Sequence, residues 1–400
     1  MGFTRILFLT LLFVWAADVQ CQNVRIFNVK KYGAIPDGKT ENSKAFLEAW
    51  KNACKWNGKA VVLVPAGTYL LDSVKFEGEC KGYMIFKVKG NVMAASKLKD
   101  INQWITFKYV NGLTVAGRGT FDGQGYKVWP CKINGRCQTL PISLRLEFIR
   151  NGKLQNIRSI NSQNAHVSIF ASSNLNITNV KLSAPQDSPN TDGIKISSSE
   201  EIRITRTSIS TGDDCVAILN GSKNTHISQV FCGPGHGISV GSMGGNTLID
   251  NKDIVVGLAV TNSTFTNTSN GLRIKTWASR YEGLASGFTY EDIIMNDVEH
   301  PIIIDQQYCP SSSCDSKTAS RIQIRDITYS NIRGTSKSKA AVTLNCSSIV
   351  PCKNIVLKDI RLVYTGNEGP ASSICSNVHG YSYGLQNPPP CFRPNRLSLN

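Results

Sequence analysis

The sequence predicts an all-β solenoid of short parallel strands. Two kinds of short apolar run alternate along it from about residue 150 onward. One set comprises residues 174–180, 201–209, 224–230, 252–260, 321–327 and 354–360; the other falls between them, at 192–196, 214–218, 236–240, 270–274, 300–304 and 339–344. Members recur at intervals of 22 to 40 residues and are separated by Asn, Ser and Gly, the pattern of a stacked repeat. The 400-residue chain also lacks any linker-like stretch, although ordinary cores divide well below that size. A solenoid escapes the limit because each unit buries its apolar face only against its neighbours. A β-sandwich, the rival, would favour Asn-Gly hairpin turns between adjacent strands, and these are sparse.

Residues 1–21, "MGFTRILFLTLLFVWAADVQC", carry one early basic residue, Arg5, then an apolar run from Ile6 to Ala17 and a more polar end. That is the pattern of a secretory signal, too short to span a bilayer; a buried N-terminal strand fits its flanks less well. The expectation is a secreted protein whose residues 22–400 form one catalytic domain without a membrane segment. Within "TENSKAFLEAWKNACKWNG" a helix is expected, with Phe46, Leu47, Trp50 and Cys54 on one face, Thr40 or Asn42 as cap and Gly58 as terminator. An exposed coil is an unpaired edge, so this helix is the candidate cover for the open end of the solenoid. At the other end "NPPPCFRPN" (387–395) cannot extend a ladder, because proline lacks the donor.

Loss of the signal removes Cys21 from thirteen cysteines and leaves an even twelve, which suits disulfides in an oxidising compartment. Short spacings suggest the pairs Cys131 with Cys137, Cys309 with Cys314, Cys346 with Cys352 and Cys375 with Cys391, and then Cys215 with Cys232 and Cys54 with Cys80. There is no C-x-x-C or H-x-x-x-H spacing, and neither a metal nor a cofactor is expected. Five N-x-[S/T] sequons begin at Asn176, Asn220, Asn262, Asn267 and Asn345 and suit a glycosylated chain. The net charge of +16 survives removal of the signal, because Arg5 and Asp18 cancel. A basic protein attracts nucleic acid, anionic lipid or an acidic polysaccharide, and export favours the third over the other two. The expected state is a monomer.

The chemistry concentrates where the repeat is shortest. Asp192 in "NTDGIKI", Asp214 in "GDDCVAI" and His236 in "GHGISV" each precede an apolar strand residue by two, and they lie 22 and 22 residues apart. If one coil takes 22 residues here, the three stack at one station on successive turns, about 4.8 Å apart. Asp213 adds another acid beside them. Any one of these residues alone reads as a turn cap; three in register do not. Carboxylates held together cannot all ionise easily, so one keeps a proton while others act as bases. Hydrolysis of a glycosidic bond needs that division, an acid for the leaving oxygen and a base for water. Two coils further, "NGLRIKT" places Arg273 and Lys275 on one strand face, a pairing suited to a carboxylate-bearing sugar.

In order, the motifs "NTDG" (190–193), "GDD" (212–214), "GHG" (235–237) and "RIK" (273–275) resemble those of the polygalacturonases of glycoside hydrolase family 28. The resemblance runs from about residue 25 to the C-terminus, and "CGPGHGISVGS" and "PIIIDQQYC" look most like the plant pollen exo-type enzymes. It implies a right-handed parallel β-helix that hydrolyses α-1,4-linked galacturonate in pectin, with inversion and without metal. It further implies Asp213 as general acid, Asp192 and Asp214 as holders and activators of water, and His236 as the residue that tunes the acid. Arg273 and Lys275 would bind the galacturonate carboxylate, with Asn190 and Tyr308 as further substrate contacts. Coil stacking of about 4.8 Å is shorter than the roughly 6.5–9.5 Å between acid and base of an inverting enzyme, so inversion rests on the resemblance. After its Gly-Ser, "GSMGGNTLIDNKD" departs from the family's aromatic or basic character, which leaves subsite preference, and the choice between exo and endo action, open.

Rival activities fit less well. "GISVG" matches the nucleophile motif G-x-S-x-G around Ser239, but the motif needs a helix next and Ser239 alternates within an apolar strand. "GRGTFDGQG" (117–125) lacks the last glycine of a dinucleotide fingerprint. A pectate lyase would need calcium held by carboxylates, and a non-catalytic solenoid would only bind pectin.

Overall fold

The computed structural model describes residues 23–392 apart from 97, 99, 101, 138, 246–251, 311–313 and 315–317. The expected signal, residues 1–21, lies outside the described residues, as do residues 393–395 of the proline-rich end. Two long sheets wind around one core. The smaller has eleven strands: β1 (Val74–Glu77), β2 (Gln103–Lys108), β3 (Ile142–Glu147), β4 (Val167–Phe170), β5 (Ile194–Ser197), β6 (Val216–Ile218), β7 (Ile238–Met243), β8 (Asn270–Trp277), β9 (His300–Tyr308), β10 (Ala340–Asn345) and β11 (Ser372–Ser376). The larger has 21 strands, both counts being of the described residues, and the neighbours in both pair in parallel. This is a parallel β-helix, in which each coil contributes once to the small sheet and once or twice to the large one.

Both predicted strand sets fall where alternation placed them, the first on the large sheet and the second on the small one. Parallel strands buried on one side carry every second residue inward. In the small sheet Ile194, Val216, Ile238, Leu272, Ile302 and Val342 occupy one register column, and Ile196, Ile218, Val240, Ile274, Ile304 and Leu344 the next. All twelve side chains are buried, so like stacks on like through the core. At the corners the chain turns through left-handed residues, several of them asparagines such as Asn151, Asn156, Asn174 and Asn179, with φ between 52° and 55°. Asparagine tolerates that region, and its amide extends the stack: Asn174 donates to Asn151 at 2.7 Å and Asn151 to Asn111 at 2.8 Å.

The predicted helix, α1 (Ser43–Cys54), packs over the first coils. Phe46 and Trp50 are buried among Phe76, Phe86 and Phe107, with ring centroids 5.0–5.3 Å apart around Phe76 and Phe86. Three details differ from expectation. Leu47 is exposed, because a residue one step from Phe46 sits 100° round the helix, and Ala45, Ala49 and Ala53 complete the buried face instead. Asn42 stands at the cap position, but its side chain is committed to Ile35 and Thr40, and Glu41 accepts from the Ser43 amide instead. The helix ends at Cys54, with Lys55 as its C-cap, before Gly58. All six expected disulfides are present; Cys54–Cys80 ties α1 to the coil below it, and Cys375–Cys391 ties down the C-terminal end.

Candidate active site

Asp192 and Asp214 lie two residues before Ile194 and Val216, which pair in register, and His236 precedes Ile238 on the next coil in the same way. Main-chain bonds lock the stack: the His166 amide donates to the Asp192 carbonyl at 2.8 Å, Gly193 to Asp214 at 2.9 Å, and His236 to Asp213 at 2.8 Å. The motif glycines have steric reasons. A Cβ on Gly193 would lie 2.5 Å from the Cys215 carbonyl oxygen, and Gly237, at φ +85°, would place one 2.2 Å from that of Asn270. Thr191 accepts from the Gly212 amide at 2.9 Å and shares a 2.6 Å hydrogen bond with Ser188, which fixes the loop bearing Asp192 against the loop bearing Asp213.

The three acids converge but meet different partners. Asp214 is buried: Arg273 Nη2 donates to its Oδ1 at 2.6 Å, Ser239 Oγ to the same oxygen at 2.7 Å, and Lys275 Nζ to Oδ2 at 2.9 Å. Arg273 Nε also donates to Ser239 Oγ at 2.9 Å, so the hydroxyl bridges acid and guanidinium. Asp192 is equally buried but has one cation, Lys195, at 2.9 Å. Burial pushes its carboxyl up to about 7; Lys195 opposes this, and Asp213 and Asp214 add to it. Asp213 is more open. Burial resists its ionisation, yet the hydrogen bond and charge of His236, whose Nδ1 lies 3.1 Å from Oδ1, hold its carboxyl below the ordinary value. Asn190 donates to the other Asp213 oxygen at 3.3 Å. The raised carboxyl expected of such a cluster is therefore that of Asp192.

Each residue singled out in the sequence thus lies in or beside one row. Tyr308 flanks it, its ring edge-on to Trp277 at 5.4 Å and 5.3 Å from the Lys275 ammonium. Three further residues join that the sequence reading did not assign to the site: Lys195, Ser239 and Trp277. The signal was available for the first two. Lys195, Ala217, Ser239 and Arg273 occupy one outward column, in register with one another, so the alternation that turned Arg273 outward also turned these. Ser239 is in the site as a hydrogen-bond bridge, wholly buried, and not as an exposed nucleophile. One donor atom each from Asp213, Asp214 and His236 lie within 4.8 Å of one another, close enough to chelate. The two cationic side chains already on Asp214 oppose a divalent ion there.

Residues 54–387 match the glycosyl hydrolases family 28 model. The chain belongs to that family. It is 43% identical to the polygalacturonase of Gossypium barbadense, over 96% of this chain and 95% of that one. It is 42% identical to the exopolygalacturonase of Platanus acerifolia (91% and 97% covered) and 41% identical to that of Oenothera organensis (88% and 98%). Among solved structures it resembles a Thermotoga maritima exopolygalacturonase at TM-score 0.74 and 20% identity, covering 90% of each chain. It also resembles an endo-xylogalacturonan hydrolase from Aspergillus tubingensis at TM-score 0.77 and 24% identity, covering 88% and 96%. At those identities the structures share the fold, and the family membership makes this chain a glycosidase.

Proposed function

We propose that this protein hydrolyses α-1,4-galacturonosidic bonds of polygalacturonate from a chain end. The observation that carries the reading is the convergence of Asp192, Asp213 and Asp214 beside two cations held on one acid. The glycosidic oxygen takes a proton from Asp213 as its bond to the anomeric carbon breaks; because His236 holds Asp213 toward its ionised form in the free site, that proton has to reach Asp213 as the anionic substrate docks. A water held by Asp192 and Asp214 attacks that carbon from the opposite face, inverting it, and gives its proton to one of the two carboxylates. His236 is placed to resupply Asp213 when it is protonated, because the two share a 3.1 Å contact. Arg273 and Lys275, with Asn190 and Tyr308, hold the sugar carboxylate; a second anion beside Asp214 is tolerable only because both cations are there. End-wise attack is supported by the exopolygalacturonase relatives at 41–42% identity.

The proposed setting is extracellular, in the cell wall, and the active species a monomer. Six disulfides and a surplus of 16 positive charges suit an oxidising compartment and an acidic polymer. No helix among the described residues is long and apolar enough to cross a membrane. The test is a product profile on polygalacturonate. Monomer from the first time point supports end-wise hydrolysis, whereas mixed oligomers mean internal attack. An unsaturated product, or loss of activity with a calcium chelator, would replace hydrolysis by elimination. Binding without new reducing ends, unchanged in Asp213→Asn, would leave only a pectin-binding solenoid.

A further inference from the structure

The active site is an open row on the small sheet, and a wide concavity lies elsewhere. It measures about 1020 Å³ and opens on the large sheet at the N-terminal end, lined by Lys59, Lys81, Lys153 and Tyr83 among others. A second hollow of about 550 Å³ adjoins it through Ile85, Thr114 and Gln155 and adds Lys87 and Lys89. Five lysines thus line one continuous concave surface with no Asp or Glu in its walls. Among the described residues none of the five forms an ion pair, in contrast to the lysines of the catalytic row, which are on Asp192 and Asp214. Four of them are exposed and Lys59 is half-buried, its ammonium 5.9 Å from the Tyr83 ring centroid.

Lys81 also borders a neighbouring hollow with Glu77 and Glu79, but within this concavity the like charges share no acid, and they repel one another and weaken the fold slightly, so their grouping asks for a polyanion. The floor between them is apolar. Outward-facing Ile26, Val61 and Ile85 occupy one register column, continued by Thr114 and Lys153. A chain of sugar acids presents both halves of that pattern, with C–H faces for the floor and the Tyr83 ring, and carboxylates for the rim. We propose that this concavity is a second, non-catalytic docking surface for a de-esterified galacturonan chain. It tethers the protein to the polymer while the catalytic row, on the other sheet, works on a chain end. The proposal rests on the substrate class given under the proposed function and adds a site to it. Tethering raises the local concentration of chain ends without touching the chemistry.

The experiment compares wild type, the triple variant Lys59→Gln/Lys81→Gln/Lys153→Gln, and the triple arginine replacement at the same positions. Two readouts are taken: hydrolysis of galacturonate trimer, and retention on a polygalacturonate gel at low and high salt, with fully methyl-esterified pectin as the uncharged control. The glutamine variant should split trimer as wild type does, within about twofold, and lose roughly tenfold in gel affinity, the scale of three exposed ion pairs. Its retention should also depend less on salt, because fewer charges are screened. The arginine variant should bind like wild type. Equal gel retention by wild type and the glutamine variant would overturn the proposal, as would loss of binding in the arginine variant or undiminished wild-type retention on the esterified control. Failure of wild type to split trimer would instead remove the hydrolase reading, and gel retention would still report on the lysines.

Discussion

The coils under α1 and the coils bearing the acids share one backbone plan and use it for opposite ends. Inside the first, aromatic rings pack in tilted and edge-on contacts, with Phe46, Phe76, Phe86 and Phe107 all fully buried. Inside the second, narrower aliphatic columns of Ile, Val and Leu repeat. Outside the first, on the large sheet, five lysines line one hollow without an ion pair among the described residues; outside the second, acids and cations face one another at 2.6–2.9 Å. In a β-helix, then, the inward residues set stability and the outward ones set chemistry, because alternation keeps the two from sharing a position.

The strongest way to break that separation is Asp213→Asn. Hydrolysis of polygalacturonate should fall by about 10²–10⁴-fold, the usual worth of a general acid, with an unchanged circular dichroism spectrum. Retention of most of the activity would remove Asp213 from the role. Phe86→Ala is the mirror-image change. It should cost about 3–5 kcal/mol of stability by denaturant titration, through lost burial and a cavity, while trimer hydrolysis well below the melting transition stays near wild type. A large loss of catalysis in that variant would mean that the covered end and the acid row are coupled.

A pH series follows one outward carboxyl directly. The Asp192 carboxyl titrates at about 7 in the folded protein and near 3.8 when unfolded, so between those values the folded state holds a proton that the unfolded state has released. Stability from this group therefore declines as pH rises from about 4 to 7 and is level above. Asp192→Asn removes the decline. The variant should melt within a degree of wild type at pH 4 and higher than wild type at pH 8, by roughly 2 °C or more. Equal melting differences at both values would refute the raised carboxyl. The smallest effect belongs to Trp277→Ala. Its ring meets Tyr308 edge-on beside the cations, so losing it should raise KM several-fold and leave kcat nearly unchanged. A fall in kcat alone would place Trp277 in the chemical step instead.

Much of the fold was legible because periodicity is local. Twelve strands from residue 174 onward, the six disulfides and the capping helix all followed from spacing and residue type. The strands before residue 150 were not read, because larger aromatic residues and longer turns blur alternation there; Gln103–Lys108, for instance, buries four consecutive residues. The corner asparagines looked only like separators, whereas in space their amides form ladders. Trp277 escaped because a register shift between Lys275 and Trp277 interrupts the count.

Sequence alone determined that Asp192, Asp214 and His236 share a station and that Arg273 and Lys275 share a face, since both statements need only the period of two and the 22-residue coil. It could not decide which acid keeps a proton or which one the cations hold. Those outcomes depend on distances of a few ångström and on burial, because Coulomb energies and desolvation change steeply over that range. Only the folded chain set Lys195 against Asp192 and gave Asp214 both Arg273 and Lys275. Only the fold, too, brought lysines from several separate coils round one hollow.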